Sequence, residues 1–241
     1  MGQVIRRSLL AAADSRSLRS LATSSSATRR VLDRFVAGES NEQALRVAHE
    51  LAGSGLSVTI DHLGESVTRP EQAVRIRDSY VSLLRLMADQ GLSQHVEVSL
   101  KLSALGQHLP GDGERLATDN GHRICEAASA AGTTVTLDME DHTTVDSTLA
   151  ILSQLRLEFP GTGAVLQAYL HRTYSDCQDL AHGGSRVRLC KGAYREPASV
   201  ALKTKQEVNA SYMRCLEVLM EGSSPLRWCT GSDPSSSLVR L

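Results

Sequence analysis

The sequence has little net charge, no long apolar run and no paired-cysteine motif. Lys and Arg total 26 against 27 for Asp and Glu, so the net charge of −1 gives no field that would attract nucleic acid or anionic lipid. No apolar stretch approaches the roughly 18 residues needed to span a bilayer. The five cysteines include no C-x-x-C pair, which argues against the common zinc and redox-dithiol patterns. These absences favour a cytoplasmic protein that acts on small molecules.

Residues 1–34 differ in composition from the rest of the chain. They carry seven arginines and only two acidic residues, a composition that is also typical of a transit peptide. Apolar residues in the same stretch, including Leu9, Leu10, Leu18 and Leu21, have spacings typical of a packed helix. We therefore predict a helical lead-in rather than a targeting segment.

From residue 57 onward, short β-like runs alternate with helical stretches. The runs cover residues 57–62, 96–103, 134–140, 164–170 and 186–191. A helix with an apolar stripe that includes Tyr80 begins at Pro70 and ends before Gly91, and further helices cover residues 112–132, 144–159 and 198–222. Strands that alternate with helices indicate a parallel sheet.

The polarity of the strands separates a barrel from an open sheet. On the second run Val96, Val98, Leu100 and Leu102 share one face, and Glu97, Ser99, Lys101 and Ser103 share the other. Strands of an open α/β sheet are covered on both faces and read as nearly continuous apolar runs, so a polar face favours a barrel with a polar interior. No G-x-G-x-x-G follows the first run, which argues against a Rossmann fold.

Polar residues collect where the predicted strands end, which is where catalytic groups lie in a (βα) barrel. They are Asp61, Lys101, Asp138 with Glu140 and Asp141, Gln167 with Arg172, and Arg188 with Lys191 and Tyr194. Inward-facing cations such as Lys101 and Arg188 need carboxylates or an anionic ligand to offset their desolvation. A large polyanionic cofactor would supply both charge and volume.

Five segments resemble, in order, successive barrel strands of bacterial monofunctional proline dehydrogenases. They are Val58–Glu65, Val98–Gly106, Val135–Thr143, Val165–Thr173 and Val187–Pro197, and the resemblance spans roughly residues 30–222. It implies a distorted (βα)8 TIM-type barrel that holds FAD and oxidises L-proline to Δ1-pyrroline-5-carboxylate by hydride transfer to flavin N5. It also implies electron transfer to a membrane quinone, with peripheral contact at the inner face of the membrane.

The resemblance further implies roles for the residues that follow these strands. Arg188 and Asp138 would be catalytic, beside flavin N5 and the flavin ring system. Lys101 and Tyr194 would bind the substrate, with Lys101 near the proline carboxylate, and Asp61 would support the interior as an ion-pair partner. The cofactor-binding residues would be Gln167, Arg188, Lys191, Gly192 and Ala193, and no metal is expected.

The resemblance weakens after Gly222. Of the family's sixth strand with its Thr-His motif, only a fragment corresponds here, Thr230-Gly-Ser-Asp233-Pro, which lacks the histidine, and the Ser-rich end is unlike a strand. The later helix with paired arginines has no counterpart. We predict an incomplete barrel of about five to six strands: a helical lead-in over residues 1–56, the barrel over 57–222 and an atypical tail over 223–241. The alternative function is an inactive remnant that at most binds flavin or partners, because the substrate clamp would be incomplete.

Two further chemistries are open from the residues themselves. Lys101 or Lys191 would serve a Schiff-base lyase, which borohydride trapping of a carbonyl substrate would reveal. A hydrolytic metal site would draw on Asp61, His62, Glu65, Asp138, Glu140 and His142, but no H-x-H or H-E-x-x-H pattern supports one.

Overall fold

The computed structural model describes residues 36–38, 40–62 and 67–222, together with the backbone of residues 236–240. The helices of this part are α1 (Asn41–Gly53), α2 (Pro70–Asp89), α3 (Gly113–Ala131), α4 (Val145–Arg156), α5 (Thr173–Leu180) and α6 (Lys205–Gly222). The strands are β1 (Ser57–Asp61), β2 (Val96–Leu100), β3 (Val135–Leu137), β4 (Gly163–Gln167), β5 (Val187–Cys190) and β6 (Ser236–Arg240). Two 3₁₀ helices, Leu102–Leu105 and His142–Thr144, follow β2 and β3.

All strand pairs in the sheet are parallel, and the strand order is β5-β4-β3-β2-β1-β6. Strands β1 to β5 therefore lie in chain order, each joined to the next by a helical crossover, which is the arrangement of a (βα) barrel. The sheet curls into a half-barrel. The predicted α/β class and incomplete TIM-type barrel are confirmed.

Helix α2 shows how local sequence sets an element's bounds. Pro70 is its first residue, where the missing N–H removes no helical hydrogen bond. The Oε1 atom of Gln72 accepts hydrogen bonds from the backbone N–H groups of Thr68 at 2.8 Å and Arg69 at 3.0 Å. Gly91, with φ of +70°, follows the last turn in the left-handed region that glycine adopts at least cost. The predicted start and stop of this helix are confirmed.

The apolar faces of the strands pack against the helices in two clusters of buried residues. The larger includes Ile60, Val98, Leu100, Leu83, Leu84, Met87, Ile124 and Leu152, and the smaller includes Leu166, Leu189, Cys177 and Cys215. Each such Leu or Ile stabilises the fold by roughly 1.5–3 kcal/mol relative to exposure. The polar residues of the same strands are left to the concave face.

Two sequence predictions inside the barrel are wrong in part. The run 96–103 ends as a strand at Leu100, because the chain turns into the 3₁₀ helix Leu102–Leu105, whose residues remain buried. No helix was predicted between residues 170 and 186, yet α5 forms there. Its eight residues are too few for a clear periodic pattern, and Cys177 is fully buried against α6.

The tail also departs from expectation. Residues 236–240 form β6, which pairs in parallel with β1 so that Val58 lies beside Ser237 and Ile60 beside Val239. The Ser-rich end was expected to be unlike a strand; pairing with an existing sheet edge outweighs its weak β-propensity. The first part of the predicted helical lead-in, residues 1–34, lies outside the described residues. Among the helices that the structure describes, none is both long and apolar enough to cross a bilayer.

Candidate functional site

The strand register brings the predicted charged residues together at the carboxyl ends of the strands. Leu100 of β2 pairs with Leu137 of β3, so Lys101 and Asp138 follow that pair on adjacent strands. On the next two strands Val165 pairs with Arg188. Because alternate side chains of a strand point to the same face, Lys101, Asp138 and Arg188 all point to the concave side of the sheet.

Four of these residues form a charge network of two cations and two carboxylates. The ammonium of Lys101 lies 2.5 Å from Oδ2 of Asp61 and 3.7 Å from Oδ2 of Asp138. The guanidinium of Arg188 donates to Oδ1 of Asp138, and Ser99 Oγ donates to Oδ2 of the same carboxylate at 3.2 Å. Side-chain exposure is 3% for Asp61 and 14–17% for the other three charged residues. Mutual pairing offsets the cost of removing these charges from water.

The hydroxyl of Tyr80, on α2, is hydrogen-bonded to backbone groups next to this network. Its hydroxyl donates to the carbonyl of Ser99 at 2.7 Å and accepts from the N–H of His62 at 3.0 Å. Burial, together with the negative charges of Asp61 and Asp138, raises the pKa of Tyr80 well above its ordinary value, so the phenol stays a neutral donor. From sequence, Tyr80 was only part of an apolar stripe, since nothing local distinguishes it from a core aromatic.

A second polar layer lies deeper on the concave face, toward the amino-terminal ends of the strands. Glu97 of β2 forms an ion pair with Arg186 and accepts a hydrogen bond from Thr59 Oγ1 at 3.0 Å and from Thr136 Oγ1 at 3.3 Å. These side chains and Arg188 line an open cavity of about 340 Å³. The predicted polar face of the second run is therefore an interior surface.

Gln167, at the end of β4, is a buried amide with an unsatisfied acceptor. Its Nε2 donates to the carbonyls of Met139 at 3.0 Å and Glu140 at 2.6 Å, which fixes the orientation of the amide. Its Oε1 is buried and has no hydrogen-bond partner among the described residues. A buried acceptor without a donor costs about 1–3 kcal/mol, so this atom fits a ligand N–H such as a flavin ring offers.

The segment after β5 contains the remaining predicted cofactor and substrate residues. Gly192 has φ of +104°, and a Cβ there would overlap the ring of Tyr169, so the position favours glycine on two grounds. The ammonium of Lys191 donates to Oδ1 of Asn209 on α6 at 2.8 Å and lies 5.9 Å from the ring centroid of a tyrosine on the same helix. Ala193 and Tyr194 are exposed. Their roles beside flavin and substrate, and that of Lys191, stay predictions.

The geometry does not favour either of the two other chemistries. Among the described residues no group of three His, Cys, Asp or Glu side chains could hold a metal ion, and Glu65 lies outside them. Glu140 accepts hydrogen bonds from the Ser103 N–H at 3.0 Å and the Ser103 hydroxyl at 2.5 Å. A Schiff-base lysine must be a free amine, whereas Lys101 is ion-paired with two carboxylates and the ammonium of Lys191 donates to Asn209 on α6.

A cluster of Glu196, His142 and Tyr169 received no role from the sequence, although His142 stood among the metal-ligand candidates. Glu196 is buried and hydrogen-bonded to both other residues. In the sequence, a role for Glu196 was indicated by its position in the segment Val187–Pro197, after a predicted strand and directly before a proline. Its partners follow two other strands, β3 and β4, and carry no local signal.

Comparison with known proteins identifies the family. The proline dehydrogenase family model matches residues 44–240, so the match continues past residue 222, where the sequence resemblance weakens, and includes β6. The chain is 39% identical over 184 residues to proline dehydrogenase of Deinococcus radiodurans, covering 76% of this chain and 59% of that protein. It is 34% identical over 191 residues to proline dehydrogenase 1 of Bacillus subtilis, covering 79% of this chain and 62% of that protein. The chain thus spans about three fifths of the length of these curated relatives.

Solved structures agree at the level of fold. Proline utilization A of Bdellovibrio bacteriovorus, inactivated by N-propargylglycine, superposes with a TM-score of 0.74 at 24% identity, over 83% of this chain and 25% of that one. Proline utilization A of Corynebacterium freiburgense gives a TM-score of 0.70 at 21% identity, over 94% of this chain and 29% of that one. Because the family model matches most of the chain and the curated proline dehydrogenases are 34–39% identical to it, the chain belongs to the proline dehydrogenase family.

Proposed function

We propose that this chain carries a flavin-dependent site for the oxidation of L-proline to Δ1-pyrroline-5-carboxylate, the first step of proline catabolism. Its family membership supports oxidation of proline, and the residues described above support a flavin. FAD, when bound, would supply the hydride acceptor at N5. Transfer of electrons to a membrane quinone and peripheral membrane contact are parts of the proposal that rest on the family resemblance alone.

The observation that carries the proposal is the charge network of Arg188, Asp138, Lys101 and Asp61 beside the buried acceptor of Gln167. Arg188 is held by Asp138, which leaves other guanidinium N–H groups as donors. A fixed cation of this kind stabilises negative charge that develops nearby in a transition state, with little reorganisation. Arg188 is thus proposed as the electrostatic catalyst, and Asp138 as the group that orients it.

The other residues of the network have binding roles in this proposal. Lys101 keeps an ammonium with three donors, one of which is directed at Asp61, so it can pair with the carboxylate of proline. Gln167 would accept a hydrogen bond from a flavin ring N–H through its unpaired Oε1. Gly192 would allow the backbone close approach to the ribityl and phosphate portion, flanked by Lys191 and Ala193, while Tyr194 would pack against flavin and substrate.

The visible spectrum of the purified chain loaded with FAD, recorded before and after anaerobic addition of L-proline, tests the proposal. Flavin bands that bleach on addition of proline are the expected result. Arg188→Met should slow flavin reduction by about 10²–10³-fold, the loss found when one preorganised donor is removed. Arg115→Met is the matched control, because Arg115 is 69% exposed on α3. Equal reduction rates in both variants would refute the role of Arg188.

A second candidate is a chain that binds flavin without oxidising proline. The observation that favours it is the open side of the site: β5, which carries Arg188, has a neighbouring strand on one edge only among the described strands. A site open to water screens its charges and positions a substrate poorly. Flavin bands that appear on loading but do not bleach with proline would support this candidate. A protein that takes up no FAD would exclude both candidates.

A further inference from the structure

Glu196 connects three loops at the carboxyl end of the half-barrel. It follows β5, yet its Oε1 accepts a hydrogen bond at 2.9 Å from the backbone N–H of His142, which follows β3 and lies 54 residues earlier. Its Oε2 contacts Nδ1 of the same histidine. The hydroxyl of Tyr169, which follows the intervening β4, lies 3.4 Å from Oε1. We refer to Glu196, His142 and Tyr169 as the Glu196 cluster.

The carboxylate of Glu196 is buried, so its hydrogen bonds are needed to offset the free-energy cost of removing it from water. The side chain of Glu196 is only 4% exposed, and that of His142 is 32% exposed. A carboxylate removed from water is costly unless its oxygens are hydrogen-bonded, and here both oxygens have partners. The ammonium of Lys203 also donates to the Glu196 carbonyl, which holds the backbone at this position. The cluster is therefore a satisfied, geometrically specific link between loops.

Tyr169 extends this link to the segment predicted to contact the cofactor. Its backbone N–H donates to the carbonyl of Lys191 at 3.0 Å, and its ring lies directly under Gly192. The backbone N–H of Tyr194 donates a hydrogen bond to the hydroxyl oxygen of Tyr169. Burial and the charge of Glu196 raise the pKa of Tyr169, so its phenol remains protonated and can donate to the carboxylate. Residues 191–194 are thus bracketed by Tyr169 on one side and by Glu196 at their carboxyl-terminal end.

We propose that Glu196 is a positioning residue that holds residues 191–193 in the conformation that binds the flavin, by joining the chain after β5 to His142 and Tyr169. The flavin half of this proposal rests on the proposed function, in which Lys191, Gly192 and Ala193 contact the cofactor. The structural half stands on the Glu196 cluster alone. Removal of the carboxylate should loosen the segment first and weaken flavin binding as a result.

Limited trypsin digestion of the full chain without flavin tests the structural half. Lys191 is an exposed cleavage site inside the segment, and it is distant enough in sequence from residue 196 for the substitution not to alter the bond cleaved. Glu196→Ala should raise the rate of cleavage after Lys191 by about tenfold or more, since loss of charge-assisted hydrogen bonds favours local opening. Glu126→Ala is the control, because Glu126 is an exposed carboxylate on α3 paired only at the surface with Arg123.

Two milder variants keep the test decisive if Glu196→Ala fails to fold. Tyr169→Phe keeps the ring under Gly192 and removes one hydroxyl, so cleavage should rise by about threefold. Glu196→Gln keeps an acceptor for the His142 N–H and should restore most of the protection. Such rescue by the amide identifies geometry as the function of Glu196. Cleavage rates in Glu196→Ala and Tyr169→Phe equal to that of Glu126→Ala would overturn the proposal.

Titration of the same variants with FAD, followed by flavin fluorescence, tests the functional half. Glu196→Ala should raise the Kd for FAD by about tenfold or more, with Glu196→Gln close to the unsubstituted chain. Faster cleavage with an unchanged Kd would overturn the link to flavin and leave a purely structural role. If the unsubstituted chain binds no FAD, the proposed function and the flavin half fail together, whereas the cleavage rates still decide whether Glu196 holds the segment.

Discussion

Replacement of Lys101 by Met should destabilise the fold strongly, because it removes the ammonium that lies 2.5 Å from the buried carboxylate of Asp61. At an effective dielectric constant of about 20, two unit charges 2.5 Å apart attract by roughly 6–7 kcal/mol. Much of this attraction is spent on desolvating the pair, but Asp61 is only 3% exposed and cannot regain water when the partner is lost. Removal of one partner of a buried ion pair lowers the free energy of unfolding by about 3–5 kcal/mol.

Urea unfolding followed by far-UV circular dichroism measures this loss. With an m-value of about 2 kcal/mol/M, the midpoint should fall by roughly 1.5–2.5 M. The double variant Asp61→Asn with Lys101→Met removes both charges and should recover most of the lost stability, to within about 1–2 kcal/mol of the unsubstituted chain. Arg115→Met, which breaks exposed pairs with Asp112 and Asp119, should change the free energy of unfolding by less than about 1 kcal/mol.

Two results would refute the reasoning. A loss below about 1 kcal/mol for Lys101→Met would mean that Asp61 reaches water or another cation after the substitution. A double variant as unstable as Lys101→Met alone would mean that Lys101 stabilises the fold through packing of its aliphatic chain and not through charge.

Two further substitutions have expected outcomes. Gly192→Ala should lower the free energy of unfolding by about 2–4 kcal/mol in a urea titration, because the positive φ and the overlap with Tyr169 both disfavour a side chain. An unchanged urea midpoint would show that the backbone at residue 192 moves away from Tyr169 at no cost. The raised pKa of Tyr80 means that the unfolded chain ionises this phenol first as pH rises past the ordinary value of 10.0, so its stabilisation is complete below that pH and is lost above it. Tyr80→Phe loses both hydrogen bonds of the phenol and should be less stable by about 1–3 kcal/mol at neutral pH. Its stability should also decline less between pH 9 and 11 than that of the unsubstituted chain. Equal declines in parallel unfolding titrations would contradict the raised pKa.

Sequence reasoning succeeded where the signal is local. The alternation of Glu97, Ser99 and Lys101 with apolar neighbours predicted a polar concave face, and the structure confirms it because side-chain direction in a strand depends only on position parity. The grouping of Asp138 with Arg188 was also within reach, since parallel strands bring their carboxyl ends to one edge.

It failed where the determining contacts are distant in the chain. Glu196 and His142 meet across 54 residues, and neither neighbourhood shows that the other residue will be its partner. Helix α5 is stabilised by packing against α6 more than by its own eight residues, so its pattern is weak. Strand β6 depends on the free edge of β1 and has no strong β-propensity of its own.

The pairing of β6 with β1 has a consequence for the order in which the molecule assembles. Ser57 is translated long before its partner Ser236. At about 5–20 residues per second, the outer edge of β1 waits on the order of 10–40 s on the ribosome before its neighbouring strand exists. Contacts of such high sequence separation also slow folding after release, because the loop entropy is lost before the pairing energy is gained. Until β6 is made, the outer edge of β1 is therefore an unpaired strand edge of the kind that pairs with other chains.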